Sequence, residues 1–275
     1  MEAGFAGRRR RSGRVKDSGV AAIPGRDAGD TPREPGPAPA AREVTHVAEA
    51  NGARYVLSIL LVLTVLSGVI DAVCYLGLGR VFTANMTGNV VVLGFAAAGA
   101  PGFSVTATFT SLAGFLVGAL AGGRLSGRFT HRSRKLSAAI ATEAIFVAAG
   151  AAVACTAATV ATGWGQYTTI ALLAFAMGIR NAVIRRLSIA DITTTVLTGT
   201  LTGLAADSTL AGGGNPRAPR RAGSAIAMLA GAIVGAVLYL HKGPGLPLVI
   251  AAVVAALTAV AAEASPLVRG YLDKK

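Results

Sequence analysis

The sequence predicts an all-α polytopic membrane bundle, with about six spanning helices plus two short or re-entrant ones and an internal, inverted repeat. Three observations carry this expectation. Of 275 residues, 53% are apolar and only 14% charged, against about 25% charged in a soluble domain. The charge is segregated, because residues 1–54 hold ten Lys/Arg and seven Asp/Glu and leave only Asp71, Glu143, Asp191, Asp207, Glu263 and Asp273 as carboxylates beyond them. Third, the apolar residues fall into runs near the ~20 that a helix needs to cross the hydrocarbon core. The composition excludes an ordinary soluble enzyme. Cys74 and Cys155 sit inside apolar runs, and His46, His131 and His241 are scattered. Neither a disulfide scaffold nor a metal or cofactor site is expected from them.

Residues 1–50 carry the run Arg8 to Arg11 and Pro24, Pro32, Pro35, Pro37 and Pro39, with few large apolar side chains. Such a segment buries too little surface to offset its ordering entropy and is expected to be a disordered, basic, proline-rich tail. No apolar core follows the arginines closely, so a cleaved signal is not expected. A cytosolic tail drawn to anionic headgroups fits better than a nucleic-acid-binding arm, and no nucleic acid partner is expected.

From Tyr55 the chain divides into eight apolar segments. The first four are A1 (55–79), B1 (84–99), C1 (103–123) and D1 (136–161), and the second four are A2 (166–184), B2 (193–210), C2 (222–241) and D2 (245–263). Residues 264–275 form a polar cytosolic end. The A, C and D segments are spanning candidates, while the B segments are shorter and more polar. Gly68-Val-Ile-Asp71-Ala-Val in A1 matches Gly178-Ile-Arg-Asn181-Ala-Val in A2, and the Thr83 to Asn89 stretch matches Thr194 to Thr200, at offsets of 110 and 111. Two polar-glycine motifs in the same order point to a duplicated unit, 55–161 and 166–263.

Eight crossings would put the basic loop Arg124 to Lys135 outside, against the tendency of short basic loops to stay in the cytosol. If each B segment enters and leaves on one side, every repeat crosses three times. Nearly all basic loops and the N-terminus then lie in the cytosol, and the second copy is inverted. On this reading the B segments meet in the bundle interior, where protein satisfies their backbone groups. Gly114, Gly118 and Gly122 in C1, and Ala227, Gly231 and Gly235 in C2, form small-residue stripes suited first to helix packing and second to a homo-oligomer interface.

The string from Val69 to Gly79, followed by Val81 to Asn89, resembles the YoaK-like family of bacterial membrane proteins, defined by a domain of unknown function. Gly178 to Arg186 and Thr193 to Thr202 are similar to that family's other hallmark. The resemblance covers residues 55 to about 263 and implies a multi-span inner-membrane protein, without supplying a substrate. The long basic tail departs from a minimal member.

Asp71 lies sixteen residues after Tyr55, about 24 Å along a helix, inside the outer half of the membrane. A carboxylate there marks an ion or substrate path unless it is neutral or paired. Asp71 is therefore a candidate proton-coupling or cation-binding group, with a fastening pair to Arg180 as the structural reading. Asn85, Thr87, Gly88 and Asn89 in B1, Asn181 beside Arg180 in A2, and Thr194, Thr195, Thr198, Gly199 and Thr200 in B2 supply neutral donors, acceptors and pliant backbone for a solute or ion. The alternative is that these groups only satisfy each other. Glu143, seven residues into D1, is expected near the cytosolic face with Lys135 or Arg134. The leading expectation is a small secondary transporter of an unidentified polar solute or ion. A channel or facilitator, or a non-transporting membrane scaffold or sensor, is the alternative. An enzyme is not expected, because no catalytic spacing or phosphate-binding loop occurs.

Overall fold

The structure, a computed structural model, describes residues 39–156, 163–188, 197–214 and 218–274. Residues 1–38 and the start of the B2 segment, with Asp191, Thr194 and Thr195, lie outside the described residues. Ala40–Lys275 is one compact unit, built from α1 (Pro39–Gly77), α2 (Met86–Ala97), α3 (Val105–Arg128), α4 (Arg132–Thr156), α5 (Trp164–Arg186), α6 (Leu197–Ala206), α7 (Ala218–Lys242), α8 (Gly245–Ala264) and α9 (Pro266–Leu272). Among the described residues there is no strand. Six helices among the described residues are long and apolar enough to cross a bilayer, namely α3, α4, α5, α7, α8 and α1 from Val47 onward. α2 and α6, at 12 and 10 residues, are too short to cross.

The first helix starts earlier than the apolar pattern suggests. Residues 40–54 are rich in Ala, Glu and Arg, which favour helix without an apolar face. This stretch is anchored from the other end of the chain, because a Cβ on buried Gly52 would strike Tyr271 and the Leu267 carbonyl of α9.

Burial sorts the spanning helices into matching pairs. The apolar windows of α1 and α5 are 67% and 61% buried, those of α4 and α8 44% each, and those of α3 and α7 only 28% and 22%. α1 and α5 therefore form the centre. The outer faces of α3 (Phe109, Leu116, Leu120) and α7 (Ile226, Leu229, Ile233) expose large apolar side chains, as a lipid-facing surface requires.

The glycine stripes set the closest packing. On α3, Gly118 and Gly122 lie against the backbone of Phe175 and Ile179 of α5, and Gly178 of α5 lies against Phe115, Gly118 and Ala119. On α7, Gly231 and Gly235 lie against Val65 and Val69 of α1, and Gly68 of α1 lies against Met228, Gly231 and Ala232. The α1–α7 contacts of Gly68, Gly231 and Gly235 thus recur in α5–α3 as those of Gly178, Gly118 and Gly122, at an offset of 110 for the central helix and 113 for the outer one. A Cβ at any of these glycines would strike backbone, so only glycine permits the approach. Both stripes are used inside the chain, which removes them as surfaces for a homo-oligomer.

The residue order along each seam makes α1 and α7 parallel, and α3 and α5 parallel. Gly79 beside Ala107 and Gln166 places the end of α1 and the starts of α3 and α5 at one end of the bundle. At the other end, Arg186 donates to the Gly123 carbonyl and Arg132 to the Leu187 carbonyl, so the end of α3, the start of α4 and the end of α5 meet there. That end gathers Arg124, Arg128, Arg132, Arg134, Lys135, Arg185, Arg186, Arg220, Arg221 and Arg269, against Arg80 and Lys242 at the first.

The short helices do not meet at the centre. α2 packs on α3 and α6 on α7. Only Asn89, Val92 and Ala96 of α2 are buried, whereas Val90, Val91 and Phe95 are exposed, and α6 has no buried residue. With one buried face on α2 and none on α6, the two lie on the flanks and do not share an interior site among the described residues, which corrects the expectation that they meet there.

Candidate functional site

The polar residues at membrane depth separate into two clusters. The first closes the turn between α1 and α2. Asp71 is six residues from the end of α1, about 9 Å along the axis, and only 4% exposed. Its Oδ1 accepts from the Thr83 amide at 2.7 Å, the Thr83 hydroxyl at 3.1 Å and the Ala84 amide at 2.9 Å, and its Oδ2 accepts from Asn85 Nδ2 at 2.6 Å. An irregular backbone at this depth needs such acceptors, because lipid offers none. Asn89 completes the closure by matching both polar groups of the Phe82 peptide. Its Oδ1 accepts from the Phe82 amide at 2.8 Å, and its Nδ2 donates to the Phe82 carbonyl at 2.6 Å and to Ser111 Oγ of α3 at 3.0 Å. Ser111 in turn donates to the same carbonyl at 2.5 Å. Gly88 gives room to the Phe82 ring, while Thr87 is exposed.

Of the expected B1 residues, Asp71, Asn85 and Asn89 are thus brought together, but every polar atom described for Asp71 already has a protein donor. In the second half, Asn181 is half-buried next to Arg180, Thr198 and Gly199 are exposed on α6, and Thr200 is half-buried there. These residues do not converge with the first cluster.

The second cluster lies between α1, α4 and α5. Arg180 and Glu143 are both fully buried and paired, with Nη1 to Oε1 at 2.7 Å. Arg180 Nη1 also donates to the Leu63 carbonyl of α1 at 3.1 Å, and Nη2 donates to Ser67 Oγ. Arg180 is six residues from the end of α5 and Glu143 eleven from the start of α4, about 9 and 17 Å along their axes. The pair therefore sits inside the hydrocarbon slab. Its bonding is incomplete, since Glu143 Oε2 and Arg180 Nε are buried with no hydrogen-bond partner among the described residues.

Two expectations change here. Arg180 pairs with Glu143 and not with Asp71, and Glu143 is a core residue and not an interfacial one. Helix phase explains the second change: Leu136, Ile140, Glu143 and Val147 recur at helical spacing and are all fully buried. α4 also begins at Arg132, four residues before the apolar run, which carries Glu143 deeper. Ser67 and Ser111 were missed because a serine inside an apolar helix usually bonds to its own backbone. Ser67 does so with Leu63 at 3.0 Å while also meeting Arg180.

A bundle of six apolar spans around a buried ion pair defines a multi-pass integral membrane protein. The chain belongs to the family described as "Protein of unknown function (DUF1275)", whose model matches residues 59–261. It is similar to the UPF0700 transmembrane protein YoaK of Bacillus subtilis (strain 168), with 35% identity over 159 residues that cover 57% of this chain and 69% of the relative. No solved structure matches. The family assignment agrees with the resemblance read from the Asp71 to Asn89 and Gly178 to Thr202 motifs.

Proposed function

We propose that this protein is a small secondary transporter working by alternating access, with two halves that are inverted copies and with its basic end in the cytosol. The observation that carries the reading is the recurrence of the glycine seams. α1–α7 and α3–α5 are built on the same contacts at constant offsets, and the two pairs run in opposite directions. Inverted duplication of this kind supports two exchanging states of similar energy, one open to each side. Each pair takes one helix from each half, so the moving bodies are the pairs and not the halves. The concentration of arginines at one end supports the orientation, and with it an N-terminus on the cytosolic side.

Within this reading Asp71 fastens the α1–α2 turn, since its oxygens are occupied by the backbone it holds. The same occupancy supports the second reading, a static membrane scaffold, because a carboxyl group engaged by four protein donors is less suited to coupling. A flux screen of small polar solutes and ions in reconstituted vesicles separates the two. Accumulation that depends on a proton gradient supports the transporter. Equilibration indifferent to the gradient indicates a facilitator, and no flux across the panel favours the scaffold. Single cysteines at Ala100 and Gly212, in a Cys155→Ser background, test the arrangement by labelling from opposite sides of the vesicle; labelling from one side breaks it.

A further inference from the structure

The transport reading leaves open what a carrier of this shape would recognise. Arg180 lies where the two glycine-packed pairs touch. It belongs to α5 of one pair and donates to Leu63 and Ser67 of α1 in the other, while Glu143 of α4 neutralises it. Any rocking of one pair against the other must break these bonds. The pair is also underused, because a guanidinium normally engages a carboxylate through two parallel bonds, whereas here one carboxylate oxygen and one guanidinium nitrogen are idle in a fully buried site.

We propose that the Arg180–Glu143 pair is a proton-linked anion site, in which a small monovalent anion seats on the Arg180 guanidinium as a proton neutralises Glu143. The inference rests on the transporter reading for its purpose, but not for its chemistry. With Glu143 ionised, an arriving anion would add a second negative charge to one cation in a medium of low dielectric constant. With Glu143 protonated and no anion present, Arg180 would stand uncompensated at membrane depth. Either half-step is unfavourable, and the two together restore neutrality. Proton and anion therefore enter and leave as a pair. The covalent change is confined to the proton, which bonds to a Glu143 carboxylate oxygen and departs from it on release.

Few other ionisable groups face the pair from the elements around it. α1 contributes the Leu63 carbonyl and the Ser67 hydroxyl, with Asp71 and Cys74 one and two turns further on. α3 has no ionisable residue before Arg124, and α8 none before Glu263. Beside Arg180, α5 has Tyr167 near its start and Arg185 and Arg186 at its end, α9 has Arg269 and Tyr271, and Asp273 just after α9 bonds to Ser133 at the start of α4. The titrating partner of Arg180 is thus Glu143.

The test uses the purified full chain in weakly buffered detergent solution, titrated with acetate, benzoate, nitrate and chloride, with anion binding followed by calorimetry and proton uptake by a pH dye. The expected result is one proton taken up per anion bound, with affinity falling about tenfold per pH unit above the titration of the carboxyl group. E143Q is expected to bind the same anion without proton uptake and without a pH slope. R180K keeps the charge but loses the fork, and should bind more weakly with the uptake retained. E143Q/R180Q has no buried charge to destabilise it and should bind none of the four. Failure of all four anions to bind wild type at any pH overturns the inference, as does binding that survives in E143Q/R180Q or proton uptake unchanged in E143Q. Vesicle flux keeps the two ideas apart. Linked binding without flux removes the transporter and leaves the site, whereas flux of other solutes without anion binding does the reverse.

Discussion

The two central helices occupy equivalent places and carry unequal chemistry. At positions 110 apart, Gly68 corresponds to Gly178, Val65 to Phe175 and Val69 to Ile179, and these are the residues that form the glycine seams. One turn away the correspondence fails. Asp71 answers to Asn181, Ser67 to Met177, and Arg180 to Ile70. Packing in lipid asks the same of both helices, because only small residues allow backbones to approach where no apolar driving force separates helix from solvent. Polar groups answer to local needs instead, so each helix holds its own. The carboxylate of α1 closes a turn near one end, and the cation of α5 reaches across to the other pair. The shared part of the molecule is its framework, and the unshared part is where a specific activity would reside.

The sharpest test of that division is to damage each part separately. Arg180→Gln leaves the Glu143 carboxylate buried without its cation, and should destabilise the protein by about 3–5 kcal/mol, whereas E143Q/R180Q should recover most of the loss. Unfolding in mixed detergent measures both, and equal losses for the single and double variants would remove the pair from the energetics of the core. Next in size are the seams. Gly118→Leu and Gly231→Leu each drive a side chain into backbone, at about 3 kcal/mol. The two losses should be alike, because the contacts are alike. A seam that tolerates leucine while the other does not would end the equivalence of the halves.

Much of the framework was legible in the sequence, because its causes are periodic. Run length marked the six spans, all but the early start of α1 to within about five residues, and the glycine stripes of C1 and C2 marked the faces that pack. The site was less legible. Both Asp71 and Glu143 stood as acids inside apolar runs, and one arginine, Arg180, was available to either. Sequence distance favoured neither, and only the depth and phase of α4, with Glu143 in register with Leu136, Ile140 and Val147, assigns the partner. The hydropathy of α2 concealed its position too, since an apolar helix twelve residues long reads the same whether protein or lipid covers its outer face. Val90, Val91 and Phe95 are exposed, and nothing in their spacing from Asn89 could have said so.

A smaller effect distinguishes fastening from coupling at Asp71. In Asp71→Asn one oxygen remains for Thr83 and Ala84, but the new amide meets the Asn85 amide donor to donor, so the bond from Asn85 is lost. A loss of about 2 kcal/mol is expected, with deuterium uptake rising in residues 78–85 while the α3–α5 seam stays protected. Transport unchanged in that variant fits a fastener. Transport abolished, with the uptake of the turn unaltered, returns Asp71 to a coupling role.

The smallest expected effect lies at the basic end, at the start of α4, and the start of α8 at the opposite end serves as its control. The start of α8 follows Pro244 with no side-chain cap, but the start of α4 is capped from 140 residues away, with Asp273 accepting from the Ser133 amide at 2.9 Å and the Ser133 hydroxyl at 2.7 Å. Desolvation pushes the Asp273 carboxyl up, yet the Ser133 bonds, the charge of His131 and the Arg132 amide outweigh it and hold the group below its ordinary value. The folded chain therefore binds this proton less readily than the unfolded one. The stabilisation is complete above the ordinary carboxylate value of about 3.9 and is lost as pH falls through the lower folded value. Deuterium uptake at the start of α4 and in α9 should rise across that acid window and stay flat at the start of α8. Asp273→Asn should show the raised uptake at neutral pH already, with no further change on acidification. If the variant keeps the wild-type acid response, the cap is not what joins the C-terminal helix to α4, and the packing of α9 on Gly52 of α1 and through its buried Val268 and Leu272 holds it instead.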